Sequence, residues 1–181
     1  MNTLSYGLLS LLSKHSRSGY ELMQHLQMFW PAKHSQIYPL LALLEQKGHV
    51  TFVHVPQSDK PDKKVYSLSE QGKAALREWI AMPTDDPVTR DELALKVYSI
   101  GLVDKLQAWK TLEAREVYYK KKKERFILML EKLKQEVSKP LDELEIEDYG
   151  FSMYVMLHKA TMKVDADLVW CEWMHTKLLK T

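Results

Sequence analysis

From about Asp104 to Lys139 the sequence runs as one helical stretch that is ended by Pro140. At ~1.5 Å per residue such a helix reaches on the order of 50 Å, longer than a compact domain of this size needs, so it must find a partner along its length. Leu112, Tyr119, Phe126 and Leu133 lie seven apart, and Phe126, Leu130, Leu133 and Val137 keep 4-3-4 spacing, a seam suited to helix-on-helix packing. A last helix, from about Tyr149 to Leu179, repeats the signal with Val155, His158, Met162, Ala166, Val169 and Trp173. The two form an antiparallel arm, most simply completed by a second copy of the chain.

The front of the chain has a different rhythm. Leu4, Leu8, Leu11 and Leu12 predict a short buried helix from Leu4 to Lys14. Arg17-Ser18-Gly19 is a turn, and Ser18 with Glu21 three residues on makes a capping box for a helix from Gly19 to Leu26. Pro31 breaks that helix, and a third runs roughly from Ser35 to Lys47, closed by Gly48. Val50 to Val55 and Lys64 to Leu68 are β-branched and aromatic, and Pro56 to Lys63 between them is turn and charge, which predicts a hairpin with a basic tip. Ser69 caps a further helix from Glu70 to about Ile80, whose Leu76, Trp79 and Ile80 are expected to reach the core. Three helices, a hairpin and a helix, in that order, make a winged helix-turn-helix.

The expected fold is therefore mainly α: a winged helix-turn-helix over residues 1–82, then a helical dimerisation and effector-sensing domain over 83–181. The boundary is Met82-Pro83-Thr84-Asp85-Asp86-Pro87, with a helix from about Asp91 to Ile100 and a break at Gly101 following it. With 181 residues, 45% of them hydrophobic and 28% charged, the chain has the composition of a soluble globular protein, not of a disordered or collagenous one. No long apolar run suggests a membrane span, and the start lacks a secretory signature, so the expected location is the cytoplasm. A lone cysteine, Cys171, agrees with a reducing compartment. Residues 1–82 carry 9 Lys+Arg against 6 Asp+Glu, the rest 17 against 18, so the small positive excess sits in the front half.

The first turn of the third helix is where a helix-turn-helix enters the major groove, and it needs polar side chains that reach bases and phosphates. Lys33, His34, Ser35, Gln36 and Tyr38 stand there. Gln36 suits adenine, Ser35 and Tyr38 suit phosphate, and Lys33 and His34 add positive potential. Ile37, Leu40, Leu41 and Leu44 would anchor the helix behind them. Lys60, Lys63 and Lys64 of the hairpin tip are placed to follow a phosphate path. The bland alternative makes Ser35 a helix cap and the tip lysines solvated.

The segment Phe29-Trp30-Pro31-Ala32-Lys33-His34-Ser35-Gln36-Ile37-Tyr38-Pro39 resembles the recognition-helix signature of PadR-type regulators. Leu4-Ser5-Tyr6-Gly7-Leu8-Leu9, Ser18-Gly19-Tyr20-Glu21, Lys64-Val65-Tyr66-Ser67-Leu68-Ser69 and Gln71-Gly72-Lys73 are similar to the rest of that family's N-terminal module, as is Glu92 to Tyr98 with Gly101-Leu102 downstream. The resemblance is specific over residues 4–80 and, after 104, is to the subgroup with a large dimerisation domain. It implies a homodimeric repressor that binds an inverted-repeat operator in double-stranded DNA and releases it when a small aromatic effector binds, a phenolic acid such as p-coumarate. It places DNA binding on Lys33, His34, Ser35, Gln36, Tyr38 and the wing lysines, with Ser18 and Tyr20 of the preceding turn.

A sensor needs apolar walls and a few polar groups. Tyr154, His158, Trp170 and Trp173 lie on the last helix, and Met28, Phe29 and Trp30 sit where the DNA module is expected to meet the arm. An aromatic carboxylate would also want a cation or donor, for which His158 or Lys159 serves. Against this, aromatics at helical spacing are ordinary core, and His158 reads equally as a core histidine bonded to a carbonyl. Cys171 and His175 make half a metal site with no second pair, and Lys120 to Lys123 read as a solvated face, so no metal or other cofactor is expected. No P-loop, dinucleotide fingerprint, nucleophile elbow or His-Glu-x-x-His motif occurs, so an enzyme has little to build on. The remaining alternative is a winged-helix adaptor that binds proteins and not DNA.

Overall fold

The computed structural model describes residues 1–27, 30–56, 63–87 and 90–180. They fall into two compact units, Met1–Pro87 and Val88–Thr181, which part at the far end of the proline-containing segment.

In the first unit α1 (Thr3–Leu12) is capped by Asn2, whose side chain accepts the Ser5 amide at 2.9 Å. It is followed by β1 (Arg17–Ser18), α2 (Gly19–Leu26), α3 (His34–Gln46), β2 (Val50–Val55), β3 (Lys63–Leu68) and α4 (Glu70–Ala81). The capping box on α2 is complete: the Glu21 amide donates to Ser18 Oγ at 3.2 Å, and the Ser18 amide donates to Glu21 Oε2 at 2.7 Å. Gly48, at φ 69°, ends α3 in the left-handed conformation that a residue with a side chain resists.

The hairpin pairs Val50 with Leu68, Phe52 with Tyr66 and Val55 with Lys63. Arg17 and Ser18 do not form the expected turn; they pair antiparallel with Tyr66 and Val65, adding a third strand in the order β1-β3-β2. Two residues show no alternation by which a strand is recognised, and their partner is remote in sequence.

Leu8, Leu9, Leu22, Ile37, Leu41 and Leu44 of the first three helices are fully buried in one core, which Leu76 of α4 completes at the edge. Each such side chain contributes roughly 1.5–3 kcal/mol by leaving water. Ile80 corrects the expectation for α4, being 67% exposed. Trp79 does lie against the core as expected, stacked on Tyr6 with ring centres 4.8 Å apart.

The second unit contains α5 (Glu92–Tyr98), a 3-10 turn at Ile100–Leu102, α6 (Lys105–Glu136), a second 3-10 turn at Leu141–Glu143 and α7 (Phe151–Lys180). Asp91 and Asp104 cap α5 and α6, their carboxylates accepting the Leu93 amide at 2.9 Å and the Gln107 amide at 2.7 Å. α6 stops one turn before Pro140 because Val137 is already extended. Lys123 meets Asp165 at 2.7 Å and Glu116 meets His175 at 3.1 Å, so α6 and α7 run antiparallel.

Leu112, Tyr119, Phe126 and Leu133 form the buried seam of α6, as their spacing predicts. The seam of α7 is another row than the expected one: Leu157, Val164 and Cys171, also seven apart, are buried. Val155, His158, Met162, Ala166, Val169 and Trp173 lie on exposed positions instead. α7 carries two apolar rows, and periodicity alone does not say which one meets α6.

α4 packs closely on the start of β2, because Gly72 is buried and a Cβ there would collide with the His49 carbonyl. Gly72→Ala is expected to lower the free energy of unfolding by about 1–3 kcal/mol, an overpacking cost, read from the urea midpoint. An unchanged midpoint would contradict this packing.

Candidate nucleic-acid interface

The roll of α3 is set by Ile37, Leu41 and Leu44, which are at most 1% exposed. With that face fixed inward, Lys33, His34, Ser35, Gln36 and Tyr38 are all exposed, and so is Tyr20 at the start of α2. His34 stacks on Tyr38 with ring centres 5.7 Å apart and planes 7° from parallel, and Tyr20 lies 6.4 Å from His34. An aromatic ridge thus borders the polar turn. Lys33 is the N-cap of α3, so Ser35 is a helical residue and not the cap.

Gln36 has a structural task as well, since its Oε1 accepts the Lys33 amide at 3.0 Å. Its amide group remains a donor, and bidentate pairing with adenine requires Oε1 to share or release that bond. Ser18 corrects the expected set. It is 4% exposed, and its amide and hydroxyl both donate to Glu21 Oε2 at 2.7 Å, so its side chain shapes the helix start and does not present a free hydroxyl.

Lys63 and Lys64 also stand differently from expectation. They open β3 and do not sit at the hairpin tip, because the strand begins at Lys63. Lys63 Nζ donates to Glu21 Oε1 at 3.0 Å, while Lys64 Nζ is 3.6 Å from Glu45 and 3.7 Å from the centre of the Phe52 ring. Half-exposed ion pairs of this kind are worth ~0–1 kcal/mol, so a phosphate competes for either lysine. Lys60 lies outside the described residues.

Glu21 therefore joins three elements: from α2 it accepts from Ser18, the last residue of β1, and holds Lys63, the first residue of β3. Hydrogen bonds from the Ser18 amide and hydroxyl, with Lys63 beyond them, hold its carboxyl at about 2, against an ordinary 4.5. The capping box is legible in the sequence; the lysine partner is not, because only the folded sheet brings Lys63 to α2.

The expected effector residues do not converge. Tyr154 and His158 have ring centres 5.9 Å apart, but Tyr154 and Trp170 are separated by roughly 24 Å of helix at 1.5 Å per residue, more than a small aromatic molecule spans. His158 is exposed, which corrects its reading as a core histidine, and Trp173 is 52% exposed with Lys177 5.1 Å over its ring. Trp170 is half-buried, Lys159 is exposed, and Trp30 is 48% exposed. Met28 and Phe29 lie outside the described residues. A groove of about 380 Å³ between α5 and α6, lined by Glu92, Lys96, Gln107, Lys110 and Arg115 among others, contains none of these residues. His175 Nε2 lies 3.1 Å from Glu116, and Lys120 and Lys123 pair with Glu116 and Asp165.

The fold and the outward polar turn define a winged helix-turn-helix transcriptional regulator with a helical C-terminal unit. Residues 8–78 match the family described as transcriptional regulator PadR-like, and residues 89–178 match the one described as virulence activator alpha C-term. The negative transcriptional regulator PadR of Bacillus subtilis is 40% identical over 113 residues, spanning 60% of this chain and 62% of that protein. Its crystal structure in complex with operator DNA is similar to this chain at a TM-score of 0.80, with 29% identity over 98% of this chain and 99% of that one. Its structure in complex with p-coumaric acid gives 0.75, with the same identity and coverage. The chain belongs to the PadR-like family of transcriptional regulators, which are DNA-binding proteins and not enzymes.

Because Glu21 titrates near 2 in the folded chain, its stabilising contribution is full above its unfolded value near 4.5 and is lost as pH falls towards 2. Glu21→Gln is expected to melt below the parent at pH 7, with the gap closing between about pH 4.5 and 2. A gap that persists unchanged at pH 2 would contradict the assignment.

Proposed function

We propose that this chain is a cytoplasmic, homodimeric transcriptional repressor that binds an inverted-repeat operator through α3 and is released by a small aromatic effector, a phenolic acid. The observation that carries the DNA reading is the exposed turn from Lys33 to Tyr38 over the buried row Ile37, Leu41 and Leu44. The operator complex and the p-coumaric acid complex of the Bacillus subtilis relative support the operator and the effector class. Among the described residues no helix is long and apolar enough to cross a membrane.

Support for the dimer comes from α7. Val155, Met162 and Val169, exposed by 44%, 62% and 64%, form an apolar row on the side that does not meet α6, and Trp173 continues it. Burying such a row against its own copy gives a twofold assembly, and twofold assemblies match inverted repeats. An effector that prefers one orientation of the two recognition helices then shifts the population away from the DNA-competent state.

Fluorescence anisotropy with an inverted-repeat duplex selected from a random pool tests the reading. Gln36→Ala is expected to cost about 1–3 kcal/mol on the preferred sequence and to relax discrimination. Lys33→Ala weakens all sequences alike and lowers the salt slope by about one. p-Coumaric acid releases the duplex, and Val169→Asp halves the mass seen by light scattering. A folded dimer that binds no duplex at low salt would favour the protein-binding adaptor instead.

A further inference from the structure

Gly19 is the first residue of α2, and it is buried although it has no side chain of its own to bury. A Cβ built on it would lie 2.8 Å from Cε1, 3.0 Å from Cζ and 3.2 Å from Oη of Tyr38. The tyrosine ring thus rests directly on the backbone at the start of α2, a seat that exists only because residue 19 is glycine. Its conformation does not demand glycine, since positive φ among the glycines is confined to Gly48 and Gly150. The requirement is one of space.

That seat decides where the Tyr38 hydroxyl stands. Tyr38 is 44% exposed, so its ring covers Gly19 with one part and reaches solvent with another. The hydroxyl is held beside the first turn of α2, which Ser18 and the Glu21 carboxylate already cap, so the phenol itself is the donor offered to an anion there. His34, one turn earlier on α3, stacks on the same ring and braces it.

We propose that Gly19 is a positioning residue for DNA binding: by leaving room for the Tyr38 ring it sets the phenol hydroxyl where it donates to one backbone phosphate of the duplex. This rests on the reading of the α3 turn as the DNA-binding face. The contact carries no base information, so its loss weakens every sequence alike. Gly19 acts only through Tyr38, whose ring is the mobile end of a side chain and yields without cost to the fold.

The test uses the full chain, a selected inverted-repeat duplex and an unrelated duplex of equal length. Gly19→Ala is expected to melt no lower than the parent, since alanine is the better helix former, while binding both duplexes about tenfold more weakly. Tyr38→Phe should show the same uniform loss, and the double variant should be no weaker than the weaker single one, because both changes remove one contact. Parent-like binding by Gly19→Ala, a lower melting temperature for it, or losses that multiply in the double variant would overturn the proposal while DNA binding by the parent still stands. Failure of the parent itself to bind either duplex would remove the DNA reading and this inference with it.

Discussion

Burial of Ile37, Leu41 and Leu44 decides which side chains α3 shows to solvent more than any charge does. These side chains are at most 1% exposed, and together they contribute on the order of 5–9 kcal/mol that would be forfeited if α3 rolled about its axis. The helix therefore has one available orientation, and His34, Ser35 and Gln36 before Ile37, with Tyr38 after it, have no choice but to face outward. Single polar contacts are each worth less, so the core sets which side chains α3 presents.

A second layer ties the display to the wing. Ser18 ends β1 and caps α2; Glu21 completes that cap and holds Lys63 at the start of β3. The hairpin thus meets the helix-turn-helix through the β1–β3 pairing, through Val50 and Tyr66 in the shared core, and through this carboxylate. The same arrangement takes two of the cations that a charge count would assign to DNA and gives them local partners. What remains on the turn is Lys33, an aromatic ridge and neutral donors, a surface that depends on shape and hydrogen bonding as much as on net charge.

Much of this was legible in the residues alone. The capping box at Ser18 and Glu21 marked the start of α2, Gly48 marked the end of α3, and the sevenfold row from Leu112 to Leu133 named the buried seam of α6. What escaped has a common cause: it depends on contacts remote in sequence. The pairing of Arg17 and Ser18 with β3 needs a partner that no local pattern supplies. The engagement of Lys63 and Lys64 follows from where β3 begins and from Glu21 and Glu45 on other elements. On α7, the rows through Leu157 and through Val155 have equal periodicity, and only packing on α6 tells them apart. The aromatic side chains from Tyr154 to Trp173 show the limit of composition as a guide to a pocket, since sharing a helix does not bring them within reach of one ligand.

Amide hydrogen exchange of the full chain, alone and saturated with a selected inverted-repeat duplex, tests the outward presentation of α3 most directly. The account predicts slowed exchange in the segment from Lys33 to Tyr38 and at the start of α2, where the duplex excludes water. Slowed exchange confined to other segments, with this turn unchanged at saturation, would contradict it.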